Sequence, residues 1–192
     1  MSPLPEVAKP QTFVRHFDTL TNEDVALVGG KNASLGEMIG TLKDEGIRVP
    51  DGFATTADAY WHYLRANGLE NEIERHLDAL QAEEQSLGET GAAIRDLIRG
   101  GTMPDEMADA IRGAYHELSA NSDAEAIDVA ARSSATAEDL PEASFAGQQE
   151  SYLNVRGDKA VLTACTKCFA SLFTDRAISY REKQGFDHME VA

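Results

Sequence analysis

An arginine followed by a long run of small polar residues is the part of the sequence best suited to chemistry. Arg132 follows a short apolar run, residues 127–130, which predicts a buried strand. The residues from there to Gln149 are mostly Ala, Ser, Thr, Gly and Gln, which are too small to build a core. A guanidinium can bind two phosphate oxygens at once, and backbone N–H groups of such a loop can bind others. The pattern therefore predicts a phosphate-binding loop.

A second candidate phosphate site lies near the start of the chain, at residues 29–31, Gly-Gly-Lys. Apolar residues at helical spacing follow them, namely Leu35, Met38, Ile39 and Leu42. The first turn of a helix has unpaired N–H groups and a partial positive charge, to which Lys31 adds a full charge. A P-loop is excluded, because Val25 and Asn32 stand where that motif needs Gly and Ser or Thr. A plain turn before an ordinary helix, with a solvated lysine, is the alternative interpretation.

The elements that must position these residues are mostly helices. Strands are predicted at residues 13–17, 52–55 and 151–155, besides the one before Arg132. Helices are predicted at 32–45, from 56 or 58 to 67, at 69–80, at 90–99, from 104 onward, at 158–172 and at 174–184. Short strands between unequal helical blocks are typical of an α+β fold, here a mixed β-sheet with flanking helices. Residues 56–120 show no pattern that indicates chemistry and are predicted to be scaffold.

The charge of the chain limits its partners. Its 192 residues include 33 Asp and Glu against 17 Lys and Arg, for a formal net charge of −16. Nucleic acid and anionic membranes need a basic face, so we expect neither as a partner. ATP stays compatible, because a few clustered cations such as Lys31 and Arg132 suffice to hold a phosphate. We expect a cytoplasmic protein, since no apolar run approaches a membrane span or forms a signal peptide.

Cys165 and Cys168 form a Cys-x-x-Cys pattern, which occurs in redox and metal sites. Here they belong to an apolar stripe at helical spacing. The other members of the stripe are Val161, Ala164, Phe169 and Leu172. With Asp158 as the predicted N-cap, both thiols lie in the middle of the helix, away from the N-terminal turn that activates redox cysteines. We therefore interpret them as buried packing residues, and the five scattered histidines indicate no zinc site.

The two candidate phosphate segments and two further blocks together resemble the N-terminal part of the phosphoenolpyruvate synthases, or pyruvate, water dikinases. The four blocks stand in the family's order: VGGKNASLGEM (28–38), VPDGFATTADAY (49–60), RSSATAEDLPEASFAGQQESYLNV (132–155) and FASLFTDRAISYREKQGFDH (169–188). Pyruvate, phosphate dikinases share the Gly-Gly-Lys but differ in the later loop. Rifampin phosphotransferases share the Ser-Ser-Ala-Thr-Ala-Glu-Asp loop closely and are the alternative family.

This resemblance implies an ATP-grasp fold, in which ATP lies between two lobes, with residues 1–192 as the N-terminal part of the nucleotide-binding domain. It also implies the conversion of ATP, pyruvate and water to AMP, phosphate and phosphoenolpyruvate through a phosphorylated histidine. In the family, the Mg²⁺ ligands, that histidine and the pyruvate domain come later, so we expect them outside this chain. The chain is then a piece of a longer phosphotransferase and inactive by itself; the alternative is a free-standing nucleotide-binding module without catalysis.

The resemblance also assigns binding roles by position. Lys31 and Arg132 match the family's phosphate-binding lysine and arginine. Gly147, Gln148 and Ser151 match its loop over the phosphates, and Ser151 stands where relatives often have threonine, which keeps the hydroxyl. For Gln148, a polar loop residue without ligand contact is the alternative.

Other residues near these blocks keep two interpretations. The carboxylates in residues 138–142 either bind Mg²⁺ or cap a turn. Arg176 and Arg181 either reach the phosphates or form surface ion pairs. His188 matches a structural corner of the family, and no residue of this chain is expected to be catalytic.

Overall fold

The computed structural model describes residues 12–47, 49–136 and 150–192, which form eight α-helices, three short 3₁₀ helices and four short strands. The strands are β1 (Val14–His16), β2 (Phe53–Thr55), β3 (Val129–Arg132) and β4 (Ser151–Val155). The helices are α1 (Val25–Val28), α2 (Gly30–Asp44), α3 (Ala57–Ala66), α4 (Glu70–Gln81), α5 (Leu87–Gly100), α6 (Asp105–Asn121), α7 (Asp158–Ser171) and α8 (Asp175–Gln184). This helix-rich arrangement with small sheets agrees with the α+β class.

The described strands form two separate antiparallel pairs. β1 pairs with β2, with Val14 opposite Thr55, and β3 pairs with β4, with Arg132 opposite Ser151. The sequence predicted one mixed sheet instead. The difference arises because four consecutive helices, α3 to α6, come between β2 and β3, and both pairs pack against the core that those helices build.

One large core holds the helices α3 to α8 and the inner sides of both sheets together. Its fully buried side chains include Tyr63, Leu64, Ile73, Ile94, Ile98, Met107, Ile111, Phe173 and Ile178. Each such side chain contributes about 1.5–3 kcal/mol by leaving water, so this core supplies most of the stability. A smaller cluster of Leu20, Val28, Ala33 and Ala54 holds α1 and α2 against β2. Met38 was predicted in the buried stripe of α2 but is 48% exposed, whereas Ile39 is buried.

The starts of two helices, α3 and α8, match the sequence prediction. Thr56 and Thr174 cap α3 and α8 by accepting a backbone N–H bond. The predicted helix at 90–99 missed the first turn of α5, which begins at the capping box formed by Ser86 and Glu89. α2 begins at Gly30, two residues before its predicted start.

The two cysteines lie in the middle of α7, as predicted. Both are free thiols, partly rather than fully buried, and Gly157 rather than Asp158 occupies the N-cap. Burial raises the pKa of Cys165 and of Cys168 to about 12, so both thiols stay protonated at neutral pH. Protonated thiols are weak nucleophiles and weak metal ligands, which agrees with a packing role.

Cys165→Ala and Cys168→Ala should each lower the free energy of unfolding by about 1 kcal/mol or less, because only a partly buried sulfur is lost. Urea denaturation measures the loss, with Thr163→Ala at an exposed position of the same helix as the control. Stoichiometric zinc in the purified chain, or a functional requirement for the oxidised pair, would contradict this interpretation.

A buried Arg181–His188 pair closes the end of α8. Arg181 is 1% exposed; its Nε donates to His188 Nδ1 at 2.8 Å and its Nη2 donates to the Leu172 carbonyl at 2.6 Å. Arginine only donates, so His188 Nδ1 must carry a lone pair and the ring must be neutral. His188 thus has the structural role that its sequence block indicated. Arg181 fits neither alternative considered for it, because its guanidinium is enclosed rather than at a phosphate site or in a surface ion pair.

This pair should make the stability of the chain depend on pH. Desolvation, and secondarily the Arg181 charge, lowers the pKa of His188 from 6.5 to about 4 in the folded state. Between these values the unfolded chain binds the proton and the folded chain does not, so stability falls as the pH drops from 6.5 to 4. The slope is at most about 1.4 kcal/mol per pH unit, or on the order of 3 kcal/mol in all.

Urea denaturation between pH 4 and pH 7 measures this dependence, and the difference between variants separates it from the titration of carboxylates. His188→Asn keeps an acceptor near Nδ1 but does not titrate, so its stability should fall less on acidification. His76→Asn is the control, because the His76 ring lies beside the uncharged Gln85 side chain rather than a carboxylate, and it should behave as the unchanged chain. Equal pH dependence for His188→Asn and the unchanged chain would show that the histidine is not the responsible group.

Candidate nucleotide-binding site

Arg132 is the last residue of β3, at the end of a two-stranded hairpin. The strand lies two residues later than the buried strand predicted at 127–130, and it is only half buried. Val129 and Ala131 pack against the core, while Ala130 and Arg132 are exposed. The sequence predicted a buried strand here, because the run is apolar and does not show which of its residues are exposed. The guanidinium therefore projects from an exposed side of the hairpin, which we call the outer face.

Ser151 lies directly across the hairpin from Arg132. Residues opposite each other in an antiparallel pair point to the same face, and both side chains are exposed. The pairing extends one step further, because the Ser133 N–H donates to the Glu150 carbonyl at 3.3 Å. Two of the predicted site residues, Arg132 and Ser151, are thus neighbours. Gly147, Gln148 and the carboxylates in residues 138–142 lie outside the described residues.

Gly29 joins the two helices that carry the Gly-Gly-Lys segment. Its N–H donates to the Val25 carbonyl at 2.8 Å and ends α1, and its own carbonyl accepts from the Ala33 N–H at 3.1 Å and begins α2. Its backbone has φ 79° and ψ 158°, a conformation that is nearly restricted to glycine. Lys31 is exposed in the first turn of α2, where backbone N–H groups have no partner within the helix.

The two candidate phosphate segments meet at Gly29. A Cβ atom on Gly29 would stand 2.4 Å from Ser134 Oγ and 2.9 Å from the Ala135 carbonyl oxygen, which leaves room only for hydrogen. Ser134 follows Arg132 by two residues, and Lys31 follows Gly29 by two. We call this contact between Gly29 and Ser134 the junction. It brings the Gly-Gly-Lys segment and the segment after Arg132, which are distant in the sequence, into direct contact.

Two hydroxyl groups beside the junction, those of Ser133 and Ser134, are buried without a partner among the described residues. Ser133 is 8% exposed, and within the described residues neither its Oγ nor that of Ser134 has a hydrogen-bond partner. Buried polar groups normally have one, and leaving one unpaired costs about 1–3 kcal/mol. These hydroxyls, the first-turn N–H groups of α2, Lys31 and Arg132 are all able to donate hydrogen bonds. An arrangement of donors around a glycine suits an anionic ligand such as phosphate.

Tyr115 of α6 holds the hairpin in place, a role that the sequence analysis did not assign. Its hydroxyl donates to the Ile127 carbonyl before β3 at 2.7 Å and accepts from the Gly157 N–H after β4 at 2.9 Å. The same side chain is 1% exposed in the core. Its place in the apolar stripe of α6 predicted burial, but nothing in the sequence indicated the two hydrogen bonds.

Comparison with known proteins places the chain in a nucleotide-binding family. The chain belongs to the family described as pyruvate phosphate dikinase, AMP/ATP-binding domain, whose model matches residues 25–192.

Several curated relatives share about half of their aligned residues with the chain. It is 52% identical over 186 residues to the phosphoenolpyruvate synthase of Aquifex aeolicus, 52% over 181 residues to that of Escherichia coli, and 48% over 181 residues to the probable phosphoenolpyruvate synthase of Methanocaldococcus jannaschii. These alignments cover 96%, 94% and 94% of the chain but only 22%, 23% and 15% of the relatives. The chain corresponds to their N-terminal portion.

Two further properties of the fold bear on metal ions and membranes. In the part of the chain that the structure describes, no group of three or more His, Cys, Asp or Glu residues could hold a metal ion. In the same part, every helix is too short or too polar to cross a lipid bilayer.

Proposed function

We propose that the chain is the ATP-binding N-terminal segment of a phosphoenolpyruvate synthase with an ATP-grasp domain. The complete enzyme would convert ATP, pyruvate and water to AMP, phosphate and phosphoenolpyruvate through a phosphohistidine. The names of the relatives support this reaction over phosphorylation of an antibiotic. The observation that carries the nucleotide assignment is the junction, because it brings the lysine segment and the arginine hairpin together beside the Ser133 and Ser134 hydroxyls, which have no partner within the described residues.

The residues of this chain would bind and orient the phosphates of ATP. Arg132 would bind two phosphate oxygens through its planar guanidinium, and the Ser151 hydroxyl beside it would donate to a third. Lys31 would add a charge at the start of α2, next to the first-turn N–H groups. Gly147 and Gln148 would complete the loop over the phosphates, by resemblance alone.

Mg²⁺ would be held by residues that lie outside the described part of the chain. The described part itself contains no cluster of metal-ligating side chains. A segment that supplies only one side of an ATP-grasp cleft would leave the phosphates in contact with water, which screens the attraction of the cations. We therefore expect the 192-residue chain to bind ATP with a dissociation constant of about 1 mM, or about −4 kcal/mol. We also expect no transfer of phosphate to the chain.

Substitution of Gly29 at the junction tests the proposal. In Gly29→Ala the new methyl group would push Ser134 away, so ATP affinity should fall by roughly tenfold, as one charge-assisted contact is lost. Ligand-observed NMR titration suits this affinity range, and circular dichroism checks the fold. Gly46→Ala is the matched control: Gly46 also has a positive φ, 75°, but open space around its Cβ position.

The control separates the effect of backbone strain from the effect of displacing Ser134. Gly46→Ala should keep the ATP affinity of the unchanged chain, while Gly29→Ala should lose it. Undiminished binding by a folded Gly29→Ala chain would contradict the proposed site, and so would the absence of ATP binding by the unchanged chain at 10 mM ATP, about ten times the expected dissociation constant.

A further inference from the structure

The outer face of the hairpin carries a large apolar side chain beside the proposed phosphate contacts. Leu153 is 64% exposed, more than Met38 or Ile47, the other exposed large apolar residues of the described chain, which are each 48% exposed. It follows Ser151 by two residues in β4, and side chains two apart in a strand point to the same face. Leu153 therefore shares its face with Arg132 and Ser151.

A β-bulge in β4 adds one residue to this face. Val129 is opposite Val155 and Ala131 is opposite Tyr152, so β4 contains one residue more than β3 between these pairs. The extra residue places both Leu153 and Asn154 on the outer face, and both are exposed. Asn154 takes a left-handed conformation, with φ 54°, which is uncommon for a residue other than glycine. Bulges of this kind often re-aim side chains next to functional sites.

The outer face changes in character along β4. At the loop end lie a guanidinium and a hydroxyl, Arg132 and Ser151, which suit phosphate. Leu153 lies one step of two residues further, about 6.6 Å along the strand, and offers an apolar surface instead. A nucleotide changes in the same order, from charged phosphates across a ribose of similar length to an uncharged, flat base. The match of charge and polarity at both ends favours a nucleotide over a protein segment as the occupant of this face.

We propose that Leu153 contacts the base of the nucleotide and so makes the site prefer a nucleoside triphosphate to inorganic polyphosphate. This inference rests on the proposed function of the same site. Removing the apolar contact should lower affinity for ATP by roughly tenfold, the effect of losing one partly buried leucine contact. Affinity for tripolyphosphate, which has no base, should not change.

The experiment compares two ligands with the 192-residue chain, ATP and inorganic tripolyphosphate, in ligand-observed NMR titrations. Leu153→Ser should weaken the binding of ATP but not that of tripolyphosphate. Leu153→Met keeps an apolar side chain at this position and should bind ATP as the unchanged chain does. Met38→Ser is the matched control, because it removes a similarly exposed apolar side chain from α2 and should change neither affinity. Circular dichroism confirms the fold of each variant.

The outcomes separate this inference from the proposed function. If the unchanged chain binds neither ligand, the proposed function fails and the inference falls with it. If it binds both ligands, and Leu153→Ser weakens both equally or neither, the proposed function stands and the base contact is wrong. Selective loss of ATP binding, restored by methionine, supports the contact; selective loss without restoration by methionine overturns it. Unchanged ligand selectivity together with lower thermal stability of Leu153→Ser would instead indicate that protein covers this leucine, which also overturns the inference.

Discussion

Lys31→Ala should lower the rate of ATP-dependent phosphorylation by about 10²–10³ in a phosphoenolpyruvate synthase that contains this segment, while the fold stays intact. The lysine is exposed at the start of α2, where its charge adds to that of the first helical turn. Charge develops on the phosphates during transfer, so a contact with them stabilises the transition state more than the bound substrate. Single-turnover transfer of label from ATP to the enzyme's histidine measures the loss.

The control for Lys31→Ala lies on the same helix. Lys43 is exposed in the last turn of α2, at the end away from the junction, so Lys43→Ala removes an equal charge and should leave the rate within about twofold. Both variants should show the circular dichroism and melting temperature of the unchanged protein. Near-normal transfer by a folded Lys31→Ala protein would remove this lysine from the site.

Arg132→Lys should be nearly as harmful as Arg132→Ala, each costing roughly 10² in rate. Arg132 ends β3 opposite Ser151, so its planar group is held beside a hydroxyl on a fixed strand pair. A lysine keeps the charge, but a single ammonium does not reproduce two parallel hydrogen bonds to a phosphate. The same single-turnover assay, together with ATP titration, distinguishes a loss of binding from a loss of transfer.

Arg65→Lys is the control for this conservative change, since Arg65 is exposed in the last turn of α3 and lies outside the proposed site. It should have no measurable effect. If Arg132→Lys retained most of the activity that Arg132→Ala loses, the arginine would act through its charge alone, and the two-pronged contact would be wrong.

Local patterns predicted the elements of this fold better than their arrangement. Capping residues such as Thr56 and the apolar spacing of α6 marked helices whose positions the structure confirms. The separation into two strand pairs was not predictable in this way, because it depends on how four helices fill the space between β2 and β3. The alternation of partly buried and exposed residues in β3 was not visible in the sequence either, because Ala130 is small enough to lie on either face.

For the candidate site too, local patterns predicted the residues better than their arrangement. Lys31 and Arg132, with the glycines and hydroxyls next to them in the sequence, indicate phosphate binding by residue type alone. Their meeting at the junction depends on tertiary packing, as do the hydrogen bonds of Tyr115 and the enclosure of Arg181. The bulge in β4 leaves no sequence signal, because Asn154 is not the glycine that usually marks a left-handed residue.

The junction also has a consequence for folding. Gly29 and Ser134 are roughly a hundred residues apart, so their contact forms only after the chain has closed a very long loop. Individual helices can form beforehand, and so can the packing of α4 on α5, because these two helices are neighbours in the chain and their contacts are local. A nascent or partly folded chain would therefore contain much of its helix but no place for the nucleotide. ATP would then protect the chain against global unfolding and would give no protection to an intermediate that has only the helical core.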